Sequence, residues 1–233
     1  LANLPWSYMP VDTKTLPGTM PTRAQAGLPE AAFVYCSFNN SYKYNPDVFD
    51  LWSRILRETP GSCLWLGAAG DEAKTRLTQE IVARGVVPER LIFAPRVADK
   101  VDHLARMQLA DVALDPFPYN SHSTGGDVLL AGVPMVALLG DTFAGRVGAS
   151  LLRAARLESL IAHTPDEYAE IAIALYRDRE QLGRYRVHLS ERSTLPVFDM
   201  TAMAGAMEDL YFRMWGDYTE GVRRPLVGGL PEC

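Results

Sequence analysis

Apolar residues along this chain gather into short continuous runs, separated by longer stretches in which they recur every three to four positions. The runs at 31–38, 63–66, 91–94, 111–115 and 134–139 are short and rich in β-branched or aromatic side chains, so each predicts a buried strand. The stretches between them predict helices. Asn45 as N-cap and Pro46 at the first helical position launch one that carries Val48, Phe49, Leu51, Trp52, Ile55 and Leu56 on a single face. Others are expected over 71–84, closed by Gly85, and over 101–107, 124–132 and about 146–156. Residues 157–161 read as a short strand or a turn. Thr164 with Pro165 starts a helix to about 177, and helices over 180–190 and 200–215 follow.

Strands that alternate with helices at this spacing imply βαβ units, hence an α/β fold with a Rossmann-like parallel sheet and helices on both faces. That unit spans 31–215. Residues 1–30 hold Pro5, Pro10, Pro17, Pro21 and Pro29 with little periodicity, and read as a linker or the end of a preceding lobe. Residues 216–233 read as an irregular tail. The chain starts at Leu1 rather than Met, which suggests a piece of something longer.

In open sheets of this kind ligands bind beyond the carboxyl ends of the strands. Three loops there carry chemistry and should open on the same edge. The first holds Lys43, the second leads to Lys100, His103 and Arg106 on one helical face, and the third is the stretch from Asp115 through His122, Ser123, Thr124, Gly125, Gly126 and Asp127. Where that stretch enters a helix, free N–H groups and about half a positive charge suit a phosphate. The two glycines would let a ligand approach the backbone, and Asp127 could accept from a sugar hydroxyl. Thr124 and Asp127 equally fit a capping box, which would satisfy the same donors with no ligand. Lys43 could reach a phosphate as a point charge or simply meet solvent. Lys100, His103 and Arg106 could hold a base and ribose or form a solvated basic face.

Composition narrows the classes. A net charge of −5 without a basic stripe argues against nucleic acid. No run is long enough to span a bilayer and no signal peptide is visible, so a cytoplasmic protein without membrane contact is expected. Cys36, Cys63 and Cys233 have no metal or redox spacing, and Cys36 and Cys63 read as small core residues. The sequon at Asn39 reads as a chance match. Neither a Gly-x-Gly-x-x-Gly, nor a P-loop, nor an Asp-x-Asp, nor a nucleophile elbow is present. A diphosphate held by a helix terminus and a lysine, without metal or cofactor, is what remains.

Several motifs carry a family resemblance: Phe33-Val-Tyr-Cys-Ser-Phe-Asn-Asn-Ser-Tyr-Lys43, Gln108-Leu-Ala-Asp-Val-Ala-Leu-Asp115, His122-Ser-Thr-Gly-Gly-Asp127, Arg146-Val-Gly-Ala-Ser150 and Leu210-Tyr-Phe-Arg-Met-Trp215. Over roughly 27–215 the chain resembles the C-terminal donor-binding lobe of the protein O-GlcNAc transferases, in a bacterial version. The resemblance implies half of a two-lobed GT-B glycosyltransferase, inverting and metal-independent, moving GlcNAc from UDP-GlcNAc to Ser or Thr of an acceptor protein. It implies that Lys43 supports catalysis and holds the diphosphate with His122, Ser123 and Thr124, that Asp127 binds ribose, and that Ala98, Lys100, His103 and Arg106 hold the uridine. A family glutamine at the diphosphate is Asn40 here, and a family threonine is Ser123. The family's N-terminal lobe, with its tetratricopeptide repeats and candidate catalytic histidine, has no counterpart in this sequence, so the lobe alone is expected to be inactive. Alternatives are a relative that uses GDP-fucose or UDP-glucose, a non-catalytic nucleotide-binding lobe, and a receiver-like domain, which lacks its acidic cluster here.

Overall fold

The structure is a computed structural model and describes residues 2–227, without the side chain of Val227. In chain order the strands are β1 (Ala2–Asn3), β2 (Phe33–Ser37), β3 (Ser62–Leu66), β4 (Leu91–Phe93), β5 (Val112–Leu114), β6 (Met135–Leu138), β7 (Ile161–Ala162) and β8 (Leu226–Val227). The helices are α1 (Pro46–Glu58), α2 (Asp71–Ala83), α3 (Lys100–Met107), α4 (Ser123–Leu130), α5 (Val147–Ala154), α6 (Pro165–Arg177), α7 (Arg179–Ser190) and α8 (Met200–Thr219). Six strands form one parallel sheet in the order β4-β3-β2-β5-β6-β7. From β2 the sheet grows outward through β3 to β4; α3 then carries the chain back across to β5 on the other side of β2. That reversal places a crevice between the carboxyl ends of β2 and β5.

Right-handed crossovers put α1 and α2 on one face, where α6 joins α1, and put α3, α4 and α5 side by side on the other. Covered on both sides, β2 and β3 are buried at every position. Their apolar runs therefore show no alternation, as expected for interior parallel strands. Trp52, Trp65, Tyr35 and Tyr168 fill the core, each contributing about 1.5–3 kcal/mol on burial, as large apolar side chains do. Tyr168 also reaches the crevice, because its hydroxyl accepts from Trp52 Nε1 at 3.2 Å and donates to the Asp115 carbonyl at 3.0 Å.

The helix starts follow from their caps. Asn45 accepts from Val48 N at 2.9 Å and Thr164 from Glu167 N at 3.1 Å, each ahead of a proline. Residues 157–161 hold a single-turn 3-10 helix that leads into the edge strand β7. Two features differ from expectation. The last helix runs past Trp215 to Thr219, and Leu226–Val227 pairs with Ala2–Asn3. Gly216 does not stop the helix, and Asp217 on its last turn takes Arg224 in a paired contact of 2.8 and 3.0 Å. Residues 220–225 between these elements are irregular, and the remainder of the expected tail, 228–233 with Cys233, lies outside the described residues. Residues 2–30 carry little regular structure but are fastened down: Val11 and Leu28 join the core, and Arg23 reaches Asp111 at 3.4 Å.

Among the described residues no helix is long and apolar enough to cross a membrane.

Candidate functional site

The crevice is built first by the loop after β5, which is wired to itself. Asp115 is buried, and its Oδ1 accepts from Ser121 N at 2.6 Å. Asn120, also buried, donates to the Pro116 carbonyl at 3.0 Å and accepts from Gly148 N at 3.2 Å. Asp115 Oδ2 has no partner, and burial pushes the carboxyl up to about 7 against the pull of Ser121 and Lys43. A Cβ at Gly148 would fall inside contact distance of that oxygen and 2.9 Å from Ala137 Cβ, so only glycine fits behind the loop.

Lys43 closes the crevice from the other side. A 3-10 turn over Ser41–Lys43 aims its ammonium at Asn120 O, 2.8 Å away, and at Asn39 Oδ1, 3.3 Å away, with the Tyr119 ring at 4.1 Å. Burial lowers its pKa while Asp115 opposes the shift. The loops after β2 and β5 thus meet through a cation held by a carbonyl and an aromatic face.

The helix that follows begins at Ser123 with no side-chain cap. The capping box does not form: Thr124 lies inside the first turn, and Asp127 instead pairs with Lys100 at 3.1 Å. Gly125 and Gly126 also differ from expectation. Both are buried, and Cβ atoms there would meet Ser121 Oγ at 2.8 Å and Val11 Cγ2 at 3.0 Å. Their absent side chains allow protein packing rather than approach of a ligand. Ser123 is exposed, Thr124 half-buried, and His122 precedes them with its Nε2 buried and unpartnered. Burial, then Lys43, lowers the His122 pKa, so its ring is neutral at physiological pH.

A cleft of about 400 Å³ continues between the loops after β2 and β4. Exposed Asn40 and Ala98 line it together with Lys100 and His103. Lys100 lies between Asp127 and Asp12, the latter at 3.4 Å. Burial opposes its charge, yet the two carboxylates hold the ammonium above its ordinary value. Burial, Arg106 and Lys100 push His103 down to about 4, leaving a neutral ring edge-on to Phe38. Arg106 is buried and committed inward: its guanidinium donates to His103 Nδ1 at 2.8 Å and to the Pro95 carbonyl. It shapes the loop rather than offering a free cation.

The structure therefore brings Lys43, His122, Ser123 and Thr124 to one end of the crevice. Asn40, Ala98, Lys100, His103 and Asp127 line the other, with Arg106 as a brace. Asp115, at the end of the apolar run, also belongs to the site, as do Tyr8, Asp12 and Tyr119, which carry no signal in the apolar pattern. Two larger hollows, of about 580 and 540 Å³, lie along α8; Asp217 and Arg224 line the first, and the second lies between Met200, Met203 and Met207 of α8 and the segment from Pro10 to Lys14, with Tyr8 at its edge. Among the described residues no group of three or more His, Cys, Asp or Glu side chains could hold a metal ion. The site offers N–H and ammonium donors at one end and a carboxylate with a neutral imidazole at the other, a division that suits a nucleoside carrying phosphates.

Comparison with known proteins gives the same direction. Residues 13–207 match the model of glycosyl transferase family 41. A UDP-N-acetylglucosamine–peptide N-acetylglucosaminyltransferase of Caenorhabditis elegans is 39% identical over 202 residues, covering 86% of this chain and 18% of that protein. A probable enzyme of the same description from Arabidopsis thaliana is 37% identical, covering 95% and 23%. The chain thus spans about a fifth of the length of these relatives. Among solved structures, an O-GlcNAc transferase mutant of Thermobaculum terrenum superposes with a TM-score of 0.78 at 37% identity, over 87% of this chain and 38% of that one. A sucrose-phosphate synthase of Thermosynechococcus elongatus, at 0.61 and 15% identity over 89% of this chain and 52% of its own, shares the fold.

Proposed function

This chain belongs to glycosyl transferase family 41 and has the α/β fold of GT-B glycosyltransferases, and on that premise we propose that it is the UDP-sugar-binding lobe of a protein O-GlcNAc transferase. The donor is UDP-GlcNAc and the acceptor a Ser or Thr hydroxyl of a protein, in a reaction that inverts the anomeric carbon and uses no metal. The observation that carries this reading is the placement of Lys43 against the loop that leads into an uncapped helix, with neutral His122 at its start. A diphosphate laid there meets an ammonium and backbone N–H groups at once. Ser123 and Thr124 add side-chain donors along the same edge, and Asn40 adds one from the neighbouring cleft, where Ala98, Lys100, His103 and Asp127 receive the uridine, with Arg106 holding their loop.

The chemistry follows from where charge grows. The acceptor oxygen bonds to the anomeric carbon as the bond to the β-phosphate oxygen breaks; the electron pair leaves on UDP, and the hydroxyl proton passes to solvent or to a base on the acceptor side. Donors already aimed at that oxygen lower the barrier without reorganising. Lys43 is the group placed to do so. Attack from the opposite face requires an acceptor site, and the relatives' greater length supports a separate N-terminal lobe that would supply it. Phe212, Trp215 and Tyr218 on α8 are exposed and offer an apolar face for such a lobe. The lobe alone should therefore bind nucleotide without turnover, in the cytoplasm and apart from membranes.

Calorimetric titration with UDP and GDP in the presence of EDTA tests the reading. UDP binding that persists without metal is expected. Preference for GDP would move the assignment to a guanine-nucleotide donor such as GDP-fucose, and absence of binding to either would contradict it.

A further inference from the structure

Tyr8 lies 114 positions before His122 in the proline-rich segment, yet its Oη sits 2.5 Å from His122 Nδ1. The phenol is held in place by its surroundings. Its ring packs on Phe143 with centroids 4.9 Å apart and meets the imidazole edge-on at 5.9 Å. Its neighbour Ser7 accepts from Ser150 Oγ on α5 at 3.1 Å. At the opposite corner of the same imidazole, Nε2 is buried with no partner. Tyr119 closes another side, edge-on at 5.3 Å.

A neutral imidazole carries one ring proton, and a hydrogen bond accepted at one nitrogen leaves that proton on the other. Burial and Lys43 keep His122 neutral, so its tautomer decides what the buried nitrogen offers. Burial and Tyr119 likewise keep the Tyr8 hydroxyl protonated, with a hydrogen to give. We infer that Tyr8 is a positioning residue, donating its hydroxyl hydrogen to His122 Nδ1 so that His122 presents Nε2–H to the anion bound at the start of α4. The other tautomer would turn a lone pair toward that anion. An unpartnered buried donor is unfavourable until an acceptor meets it, so an Nε2–H there favours a phosphate oxygen. The inference rests on the reading of this site as a diphosphate site. It also gives the segment before the sheet a part in donor binding.

Long-range proton–nitrogen correlation on the nitrogen-15-labelled chain reads histidine tautomers directly, with the His122 signals identified by their loss in His122→Gln. In the wild type, His122 is expected to be protonated at Nε2 and bare at Nδ1. Tyr8→Phe keeps the ring and its packing on Phe143. It is expected to move both His122 nitrogens toward the average of the two tautomers and to weaken UDP about fivefold, the effect of one ordinary hydrogen bond, while uridine binding stays unchanged. A wild-type ring protonated at Nδ1 would overturn the inference, as would His122 nitrogens that do not respond to Tyr8→Phe. A chain that shows the Nε2–H tautomer but binds no UDP would support the Tyr8 contact and overturn the diphosphate reading instead.

Discussion

The two ends of the crevice are built in different ways. At the Lys43 end, buried groups hold one another: Asp115 fixes Ser121, Asn120 joins Pro116 to Gly148, and Lys43 spans two loops. At the Lys100 end, an ammonium sits between two carboxylates near the surface, and the cleft walls are partly exposed. Preorganised donors in a buried setting stabilise developing charge far better than solvated ones. Partly exposed ion pairs are individually weak and can rearrange around a ligand. On the proposed reading, the first end serves the chemistry at the diphosphate and the second the recognition of the nucleoside.

The contrast can be broken at graded cost. Lys43→Ala in the complete enzyme is expected to lower turnover by about 10²–10³, the loss typical of one donor to a developing oxyanion; near-normal kcat would remove Lys43 from the mechanism. Gly148→Ala forces a methyl against Asp115 and Ala137 and should destabilise the fold by about 1–3 kcal/mol in denaturant titration. Gly183→Ala, on open helix surface, serves as its control and should be neutral or stabilising.

A smaller effect concerns pH. The folded Asp115 carboxyl titrates at about 7, against 3.8 ordinarily. Between those values the folded chain keeps a proton that the unfolded chain has released. The stability it contributes is therefore complete below about pH 4 and is lost as pH rises through about 7. Melting temperatures of wild type minus Asp115→Asn should fall across that window, and a flat difference would contradict the burial of the carboxyl. Smallest of all, Asp12→Asn should weaken UDP less than about fivefold and lose its effect in high salt, as a partly exposed ion pair does. A larger, salt-insensitive loss would show the nucleoside end to be as rigid as the other.

Much of this frame was legible in the chain. Asn45 with Pro46 and Thr164 with Pro165 announce their helices locally, because a cap needs only a few adjacent residues. Strand and helix alternation fixes a parallel sheet, and parallel connections bring Lys43, Lys100 and His122 to one edge. What stayed hidden depends on distant partners. Asp115 is buried against a glycine far along the chain, and Tyr8 and Asp12 reach the site from a segment without periodicity. Asp127 fits either a capping box or a ribose acceptor in the sequence, and only its distant pairing with Lys100 excludes the box. Gly125 and Gly126 looked like room for a ligand until Ser121, Leu151 and Val11 filled the space.

The most direct test compares UDP with uridine by calorimetry, in EDTA, for the wild-type chain and for Lys43→Ala. UDP should bind the wild type at least about a hundredfold more tightly than uridine, the difference coming from charge-assisted hydrogen bonds to the diphosphate. In Lys43→Ala most of that advantage should vanish while uridine affinity stays put. Equal binding of UDP and uridine by the wild type, or an advantage untouched by Lys43→Ala, would contradict the division of the crevice into a diphosphate end and a nucleoside end.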